Sequence, residues 1–511
     1  MNIEIDYWTD PISMRNTRFK VTSGGDIVLT LLDNTMFPYE VDNGVITIAN
    51  SRLSDFLELA VWHTVTSSNT KLMKRIEATK VPKVPPRVDK PMPTFKVKPF
   101  KMQEEARDIA LRNRLVLLGD KMGSGKTFTS LMIAESLKSK FDFKHTLIIC
   151  GIKDTQFQWE DQINKFSYES GRIIGKRITR NGTTVLGSNP EKLEELKSDI
   201  DEFYLIINVH ALRDREILDR VVEMVYNGDI GFVAVDEAHK CVGITAPKNL
   251  GKDKKTKVPA LNEIRPFYRL PITGTPFNSP IDMYEIEKWL GQTFSTKDAY
   301  YKRYGEFVID YTVPRKGRMM PTKYMFIEFD LFKKDISRFI IRRDNSDGLP
   351  SVIPSKHYVE LTPKQRKFYD STPEAKTLAD LRSLDIFKEE IQSPKYMDLR
   401  RAITLPRELG IDTDSKMEAV KRLLEEILAN DEQAIIFTYF REGVNYYQDE
   451  LEKTFPNKGT YVTESSDVYE CVQKIQNGEA SFIVGNYLKI GTGFDLQRAD
   501  YIIFVDLPYT W

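Results

Sequence analysis

The chain has 511 residues, 41% hydrophobic and 29% charged, and its 74 basic and 74 acidic side chains balance to a formal net charge of zero. That length is past the point at which one hydrophobic core keeps growing, so roughly three units of about 150 residues are expected, and the composition excludes a disordered or fibrous chain. No apolar run approaches the roughly 18 to 20 residues of a membrane span, the opening Met-Asn-Ile-Glu-Ile-Asp lacks a basic and apolar signal region, and Cys150, Cys241 and Cys471 are too scattered for a local Cys-x-x-Cys zinc motif; a cytoplasmic protein without a membrane partner is expected.

Residues 1–80 mix short β-type runs, Asp26-Ile-Val-Leu-Thr-Leu-Leu and Gly44-Val-Ile-Thr-Ile-Ala, with turn-forming pairs, and close with an amphipathic run from Ser54 to Val65. A small α+β accessory domain fits, and with it a protein partner for that domain. Residues 81–94 hold five prolines, which continue neither a helix nor an interior strand and favour an extended spacer. Over about 95–290, in a first lobe drawn at 95–345, short apolar strands alternate with helical patterns, at Arg114–Leu118, Thr146–Cys150, Tyr204–Asn208, Phe232–Val235 and Leu270–Ile272, before a basic and aromatic middle section. Such alternation predicts a parallel sheet with helices on both faces. It resumes within 346–511, in a helix over Lys416–Leu428 and strands at Ala434–Phe437, Ser481–Val484 and Tyr501–Val505. The fold class is therefore α/β, with two parallel-sheet lobes in tandem behind the accessory domain.

Leu115–Leu118 runs into Gly119-Asp-Lys-Met-Gly-Ser-Gly-Lys-Thr127 and then a helical pattern. Glycines at such a turn let backbone N–H groups wrap phosphates at a helix N-terminus, where the macrodipole also favours anions. Met122, Gly123, Ser124 and Gly125 would line that loop, Lys126 would reach the β- and γ-phosphates of ATP, and Thr127 would hold Mg²⁺ through its hydroxyl. Asp120 stands where the usual first glycine is expected. Further on, Gly231-Phe-Val-Ala-Val-Asp-Glu-Ala-His239 sets an acidic pair at the C-terminal end of an apolar strand, where open α/β sheets bind ligands. Asp236 would hold Mg²⁺ and Glu237 would orient and deprotonate the attacking water; His239 would link this site to the following lobe.

Asp-Glu-Ala-His, Thr273-Gly-Thr-Pro276 and the loop Asp120–Thr127, in this order and spacing, resemble the superfamily-two helicases, and within them the Swi/Snf-related branch, over residues 95 to 511. The resemblance implies two RecA-like lobes that close on ATP. It implies that Gln103, in Pro99-Phe-Lys-Met-Gln, recognises adenine, and that Thr273 and Thr275 couple the γ-phosphate to strand contact. It also implies that Leu147–Trp159, with Lys153, Gln158 and Trp159, touches the phosphates of the tracked strand, as does His210 in Ile206–Leu212. Phe339-Ile-Ile-Arg-Arg343 resembles the bridge between lobes, placing Arg342 and Arg343 near nucleic acid, and Gln433–Phe440 resembles a DNA-facing segment ending with Tyr439. Gly491 and Asp495, in Gly491–Leu496, resemble the lining of the ATP cleft, with Asp495 where asparagine is typical and Ile490 where glycine is typical.

Beyond a segment like Val505–Trp511 the family pattern continues into a motif carrying an arginine finger, and this chain stops first; ATP binding with poor turnover is the corresponding expectation. Basic clusters at Lys252–Lys257 and Arg315–Lys323 read either as solvated loops or as a groove that tracks phosphates without reading bases. The function that these features imply is a DNA-dependent ATPase moving on duplex, forked or branched DNA. Branch migration or fork remodelling of the kind done by phage or prokaryotic helicases is the finer expectation, in the host cytoplasm if the chain is phage-encoded. An RNA helicase and a non-hydrolysing, ATP-binding DNA scaffold are the alternatives.

Overall fold

A computed structural model describes residues 2–8, 18–33, 39–42, 44–79, 81–178, 184–249, 255–275, 280–291, 297–309, 322–343, 353–371, 403–411, 414–491, 494 and 496–506. The chain divides into two units, Met1–Leu349 and Pro350–Trp511.

The first unit opens with β1 (Asn2–Trp8), β2 (Arg18–Ser23), β3 (Glu40–Asp42), β4 (Val45–Ala49) and β5 (Thr64–Thr66), in the order β3-β4-β2-β1-β5. The β-type run at Asp26 is instead a helix, Gly25–Asp33. Val28 and Leu32, one turn apart, are both buried in the domain core, and Thr30 Oγ1 donates back to Asp26 O at 2.9 Å, so packing overrides the β preference of Ile, Val and Thr. The amphipathic run from Ser54 likewise splits into a helix, Leu53–Leu59, and the strand β5.

The Pro-rich segment is extended but docked. Val88 N donates to Lys140 O at 2.9 Å, Lys90 N to Ser139 O at 3.0 Å, and Asp142 N to Pro86 O at 2.8 Å, fastening it to the end of the helix Lys126–Lys140.

Then follow β6 (Leu117–Leu118), β7 (His145–Cys150), β8 (Gly171–Ile173), β9 (Lys176–Ile178), β10 (Thr184–Leu186), β11 (Tyr204–Asn208), β12 (Ile230–Asp236), β13 (Thr245–Asn249), β14 (Lys255–Pro259), β15 (Tyr268–Ile272), β16 (Gly305–Ile309), β17 (Thr322–Phe326) and β18 (Ile340–Ile341). Seven of them make a parallel sheet in the order β18-β6-β15-β12-β7-β11-β8. Strands covered on both faces read as unbroken apolar runs, which is why Leu147–Ile149 and Leu205–Ile207 are buried throughout. The run expected from Arg114 is a strand at Leu117–Leu118, preceded by an isolated parallel bridge from Leu115 to Arg269.

Antiparallel ribbons β9–β10, β13–β14 and β16–β17 complete the unit. Lys255–Lys257 of the first basic cluster lie on β14 and Thr322–Lys323 of the second on β17; residues 250–254 and 310–321 lie outside the described residues. Tyr324 and Phe326 face inward: Tyr324 Oη donates to Tyr301 O at 2.7 Å, and Phe326 packs against Phe332.

Two buried polar clusters hold this unit. Glu58, on the helix Leu53–Leu59, meets the fully buried Arg269 of β15 and Arg265 (3.0 Å), so the accessory domain is ion-paired to the sheet. Elsewhere Glu287, on the helix Pro280–Trp289, is wholly buried and accepts from Tyr300 Oη at 2.6 Å; burial pushes its carboxyl up to about 8. The neutral acid is thus favoured in the folded state while the unfolded chain ionises near the ordinary glutamate value. Stability from this group is present at low pH and is lost as pH rises through the window up to about 8. Glu287→Gln is expected to flatten that decline and to be at least about 1 kcal/mol more stable than the parent at pH 8 by urea unfolding, since one pH unit of such a titration is worth about 1.4 kcal/mol. Parallel stability curves for the two proteins would contradict it.

The second unit carries β19 (Ala434–Thr438), β20 (Gly459–Val462), β21 (Phe482–Asn486) and β22 (Tyr501–Phe504) as a parallel sheet ordered β20-β21-β19-β22, with helices Ser415–Ala429, Arg441–Thr454 and Val468–Gln476. Among the described residues no helix is long and apolar enough to cross a membrane.

Candidate nucleotide site on the first sheet

Because the large sheet is parallel, all its C-terminal strand ends share one edge. Along that edge stand Arg342–Arg343 after β18, the Asp120–Thr127 loop after β6, Thr273–Thr275 after β15, Asp236–His239 after β12, Gly151–Lys153 after β7 and His210 after β11. Only β15 separates the strand feeding the loop from the strand feeding the carboxylates, a gap of roughly 10 Å at about 4.8 Å per strand.

The loop is shaped for anions. Gly123 (φ 79°) and Gly125 (φ 74°) take left-handed conformations, and a Cβ at Gly125 would stand 2.4 Å from Gln103 Nε2. Lys126 opens the helix Lys126–Lys140, with Nζ 3.0 Å from Lys121 O. Burial lowers the pKa of its ammonium, and the charges of Glu237, Asp236 and Asp120 raise it again. Lysine and both carboxylates therefore share one electrostatic field.

Asp236 is pushed up to about 6 by burial and by the neighbouring Glu237, against the indole Nε1 of Trp159, which donates to its Oδ2 at 3.0 Å. Burial also raises Glu237, opposed by Lys240 and Lys126. Glu237 holds a left-handed φ of 47°, unusual for a side chain with a Cβ and the mark of a residue fixed in place by its surroundings. A polar chain leads away from it: His239 Nδ1 lies 3.4 Å from Glu237 Oε2 and 3.0 Å from Thr273 Oγ1, which accepts from Thr275 N at 3.2 Å.

The donor set suits a magnesium triphosphate. Mg²⁺ takes hard oxygen ligands, usually one or two from protein and the rest from phosphates and water, and Thr127 and Asp236 offer a hydroxyl and a carboxylate. A buried carboxylate this hard to ionise gains from a cation, and Ser124 Oγ, buried in the loop, has no hydrogen-bond partner within the protein.

Several side chains have tasks other than those that the sequence implies. Trp159, expected at the tracked strand, is 2% exposed and serves Asp236. Gln103, expected on adenine, is buried with its amide engaged at both ends: Oε1 accepts from Phe100 N at 3.0 Å and Nε2 donates to Ser124 O at 3.3 Å. Arg343, expected near nucleic acid, is spent on Asp120, donating from its backbone N at 2.9 Å and from Nε at 3.2 Å to Oδ1. Its guanidinium fits a carboxylate in the place of the missing glycine. Lys153, His210 and Arg342 are exposed at the edge and Gln158 is half-buried. Met122 is exposed beside Gly274, where a Cβ would meet its Cγ at 2.8 Å.

In the second unit Tyr439 follows β19, its backbone N donating to Asp506 Oδ1 at 2.8 Å, and Gly491 N donates to Tyr487 O at 3.0 Å. Asp495 and Pro276 lie outside the described residues. Sequence reasoning missed Trp159 as a partner of Asp236, the Asp120–Arg343 pair, and the exposed ring of Phe100 beside Gln103; only the last had a local signal, an aromatic residue at the start of a helix.

The SNF2-related domain family matches residues 61–409. An uncharacterized ATP-dependent helicase of Mycoplasma pneumoniae is 22% identical over 412 residues, covering 76% of this chain and 35% of that protein. A putative ATP-dependent helicase/translocase of Bacillus subtilis is 20% identical over 374 residues, covering 66% of this chain and 38% of that protein. The chain thus spans little more than a third of these curated relatives' length. Among solved structures, the Sulfolobus solfataricus SWI2/SNF2 ATPase core in complex with dsDNA aligns over 81% of this chain and 83% of that one, at 20% identity and a TM-score of 0.37.

Proposed function

The chain belongs to the SNF2-related family, and from that premise we propose that it is a DNA-dependent ATPase that uses hydrolysis to move along duplex DNA. The observation that carries this reading is the placement of the left-handed Gly123–Gly125 turn with Lys126 and of the Asp236–Glu237 pair at one edge of the parallel sheet, with a single strand between them. Residues 95–345 and 346–511 are the motor lobes, 81–94 the linker and 1–80 the accessory domain.

In this mechanism the N–H groups of the Gly123–Lys126 turn and the Lys126 ammonium would hold the phosphates, while Thr127 and Asp236 would hold the metal. Magnesium, when bound, neutralises phosphate charge and fixes phosphate orientation. Glu237 accepts the proton of the attacking water, its raised affinity for protons suiting a base that must work near neutrality. Trp159 keeps the Asp236 carboxylate oriented. His239 and Thr273 pass a change at Glu237 to the Thr275 backbone, on the same sheet edge as the exposed Lys153 and His210, which lie two and three strands further along and would contact DNA phosphates together with Arg342, Gln158 and Tyr439. Branched or forked DNA is a substrate beside plain duplex in this reading, with remodelling by branch migration as the finer outcome.

ATP hydrolysis measured with duplex, forked, four-way and single-stranded DNA beside RNA tests it. Duplex or branched DNA is expected to stimulate the rate at least about tenfold above the DNA-free level, consistent with charge placed only when the strand is gripped. Equal or greater stimulation by RNA favours the RNA helicase; no stimulation by any nucleic acid sinks the motor.

A further inference from the structure

At the N-terminal strand ends, opposite the nucleotide edge, a cleft of roughly 820 Å³ opens between the accessory domain, the docked linker and the first sheet. Tyr268 begins β15, Arg114 precedes β6, and Phe141 precedes β7, so about 17 Å of strand separates this cleft from the phosphate loop. Trp62, Arg87, Arg112 and Lys140 complete its working surface.

Two features of the cleft point to a ligand. First, it concentrates unpaired positive charge. Arg87, Arg112 and Lys140 are exposed and, among the described residues, none is in an ion pair; Asp89 is the only acidic residue in the lining. Arg112 and Lys140 close the last turns of their helices, where cations suit the dipole, but that accounts for neither Arg87 nor the convergence of all three on one cavity. Second, a large flat ring is held open beside them. Trp62 is 40% exposed, yet it is fixed edge-on by Phe267 at 4.7 Å between ring centroids, and the Arg87 guanidinium lies 5.4 Å over its ring. An exposed indole with a stacked guanidinium is a platform for an unpaired base, and spaced cations around it suit consecutive phosphates.

We propose that this cleft is a second nucleic-acid site that holds an unpaired strand, with a base on Trp62 and Arg87 and phosphates on Arg112 and Lys140. It rests on the reading of the chain as a DNA motor. Gripping a single strand at one sheet end while the other end tracks duplex gives the protein two handles on one branched molecule. A duplex offers no unstacked base to the indole, and a phosphoserine or phosphothreonine peptide supplies no flat ring for it.

The test uses the full chain and fluorescein-labelled oligothymidylate without nucleotide. The variant R112Q/K140Q changes two exposed side chains and is expected to fold as the parent. It should bind oligothymidylate at least about fivefold more weakly, and the slope of log affinity against log salt should fall by about 1.4, two phosphates at about 0.7 each. Its duplex-stimulated ATPase should stay within about twofold, because a separate site is being emptied. Oligothymidylate carrying 5-iododeoxyuridine should photocrosslink to the tryptic peptide that holds Trp62, with the adduct lost in Trp62→Ala and kept in Trp62→Phe. Unchanged affinity and salt slope in R112Q/K140Q overturn the proposal, as does a crosslink that avoids this peptide, or a parallel loss of duplex-stimulated ATPase. Competition by a phosphopeptide but not by single-stranded DNA would also overturn it. Failure of the motor reading is seen separately, as a parent chain whose ATPase ignores DNA.

Discussion

Replacing Glu237 with glutamine is expected to lower DNA-stimulated ATP hydrolysis by about 10²–10⁴-fold, the usual loss when a positioned general base is removed. Glutamine keeps the shape of the side chain and a group beside His239 Nδ1, now 3.4 Å from the carboxylate, so the loop and Asp236, the proposed metal ligand, stay as they are. ATP affinity should therefore survive in Glu237→Gln. Lys126→Ala should behave differently, losing affinity along with rate, because the proposed role of the ammonium is in the phosphate grip rather than in proton transfer. DNA binding should persist in both, since the proposed phosphate contacts, Lys153 and His210 among them, lie on strand ends other than the one that carries Lys126. A Glu237→Gln protein hydrolysing within about tenfold of the parent would remove Glu237 from the role of base.

The second large effect lies far from the chemistry. Arg269→Met leaves Glu58 buried without the guanidinium that meets its Oε1, and leaves Trp289 O without the same donor. Arg265 remains at 3.0 Å from Oε2 and compensates only in part. Breaking such a buried pair costs about 3–5 kcal/mol, whereas replacing both members by apolar groups of similar volume is close to neutral. The double variant Glu58→Leu/Arg269→Met should accordingly unfold at higher urea than Arg269→Met alone. If the single and double variants are equally unstable, the pair is not what fastens the accessory domain to β15.

The parts of this fold that the sequence discloses are those whose signal is local. Strands buried on both faces announce themselves as apolar runs, so β7, β11 and β12 are readable directly, and Gly123 and Gly125 mark the left-handed turn that a phosphate loop needs. The helix Gly25–Asp33 is hidden because its Ile, Val and Thr content favours a strand until the burial of Val28 and Leu32 decides otherwise. The linker prolines give the extended backbone but not its attachment to Lys140, which depends on carbonyls at a helix end more than 45 residues away.

The candidate site divides in the same way. Lys126, Thr127, Asp236 and Glu237 follow from spacing at strand ends. The partners that tune them do not: Trp159 reaches Asp236 across 77 positions and Arg343 reaches Asp120 across 223. Both were readable as nucleic-acid contacts, an arginine and an aromatic residue in segments near the strand path, because sequence shows residue type but not the direction of the side chain. The second cleft is hidden for a related reason, since Trp62, Arg87, Arg112 and Lys140 come from four segments that only the docked linker and accessory domain bring together.

If Lys126 and Asp236 act on one magnesium-bound triphosphate, as proposed, a double-mutant cycle on ATP binding shows it most directly. A fluorescent ATP analogue is titrated into the parent, Lys126→Ala, Asp236→Ala and the double variant, with magnesium present and with it chelated. Two residues sharing one ligand should show a coupling of about 0.5–3 kcal/mol with magnesium, shrinking when the metal is removed, and Asp236→Ala should erase most of the gain in affinity that magnesium brings. Losses that add to within about 0.3 kcal/mol under both conditions, with the magnesium gain intact in Asp236→Ala, would place the two groups on different ligands and contradict the account.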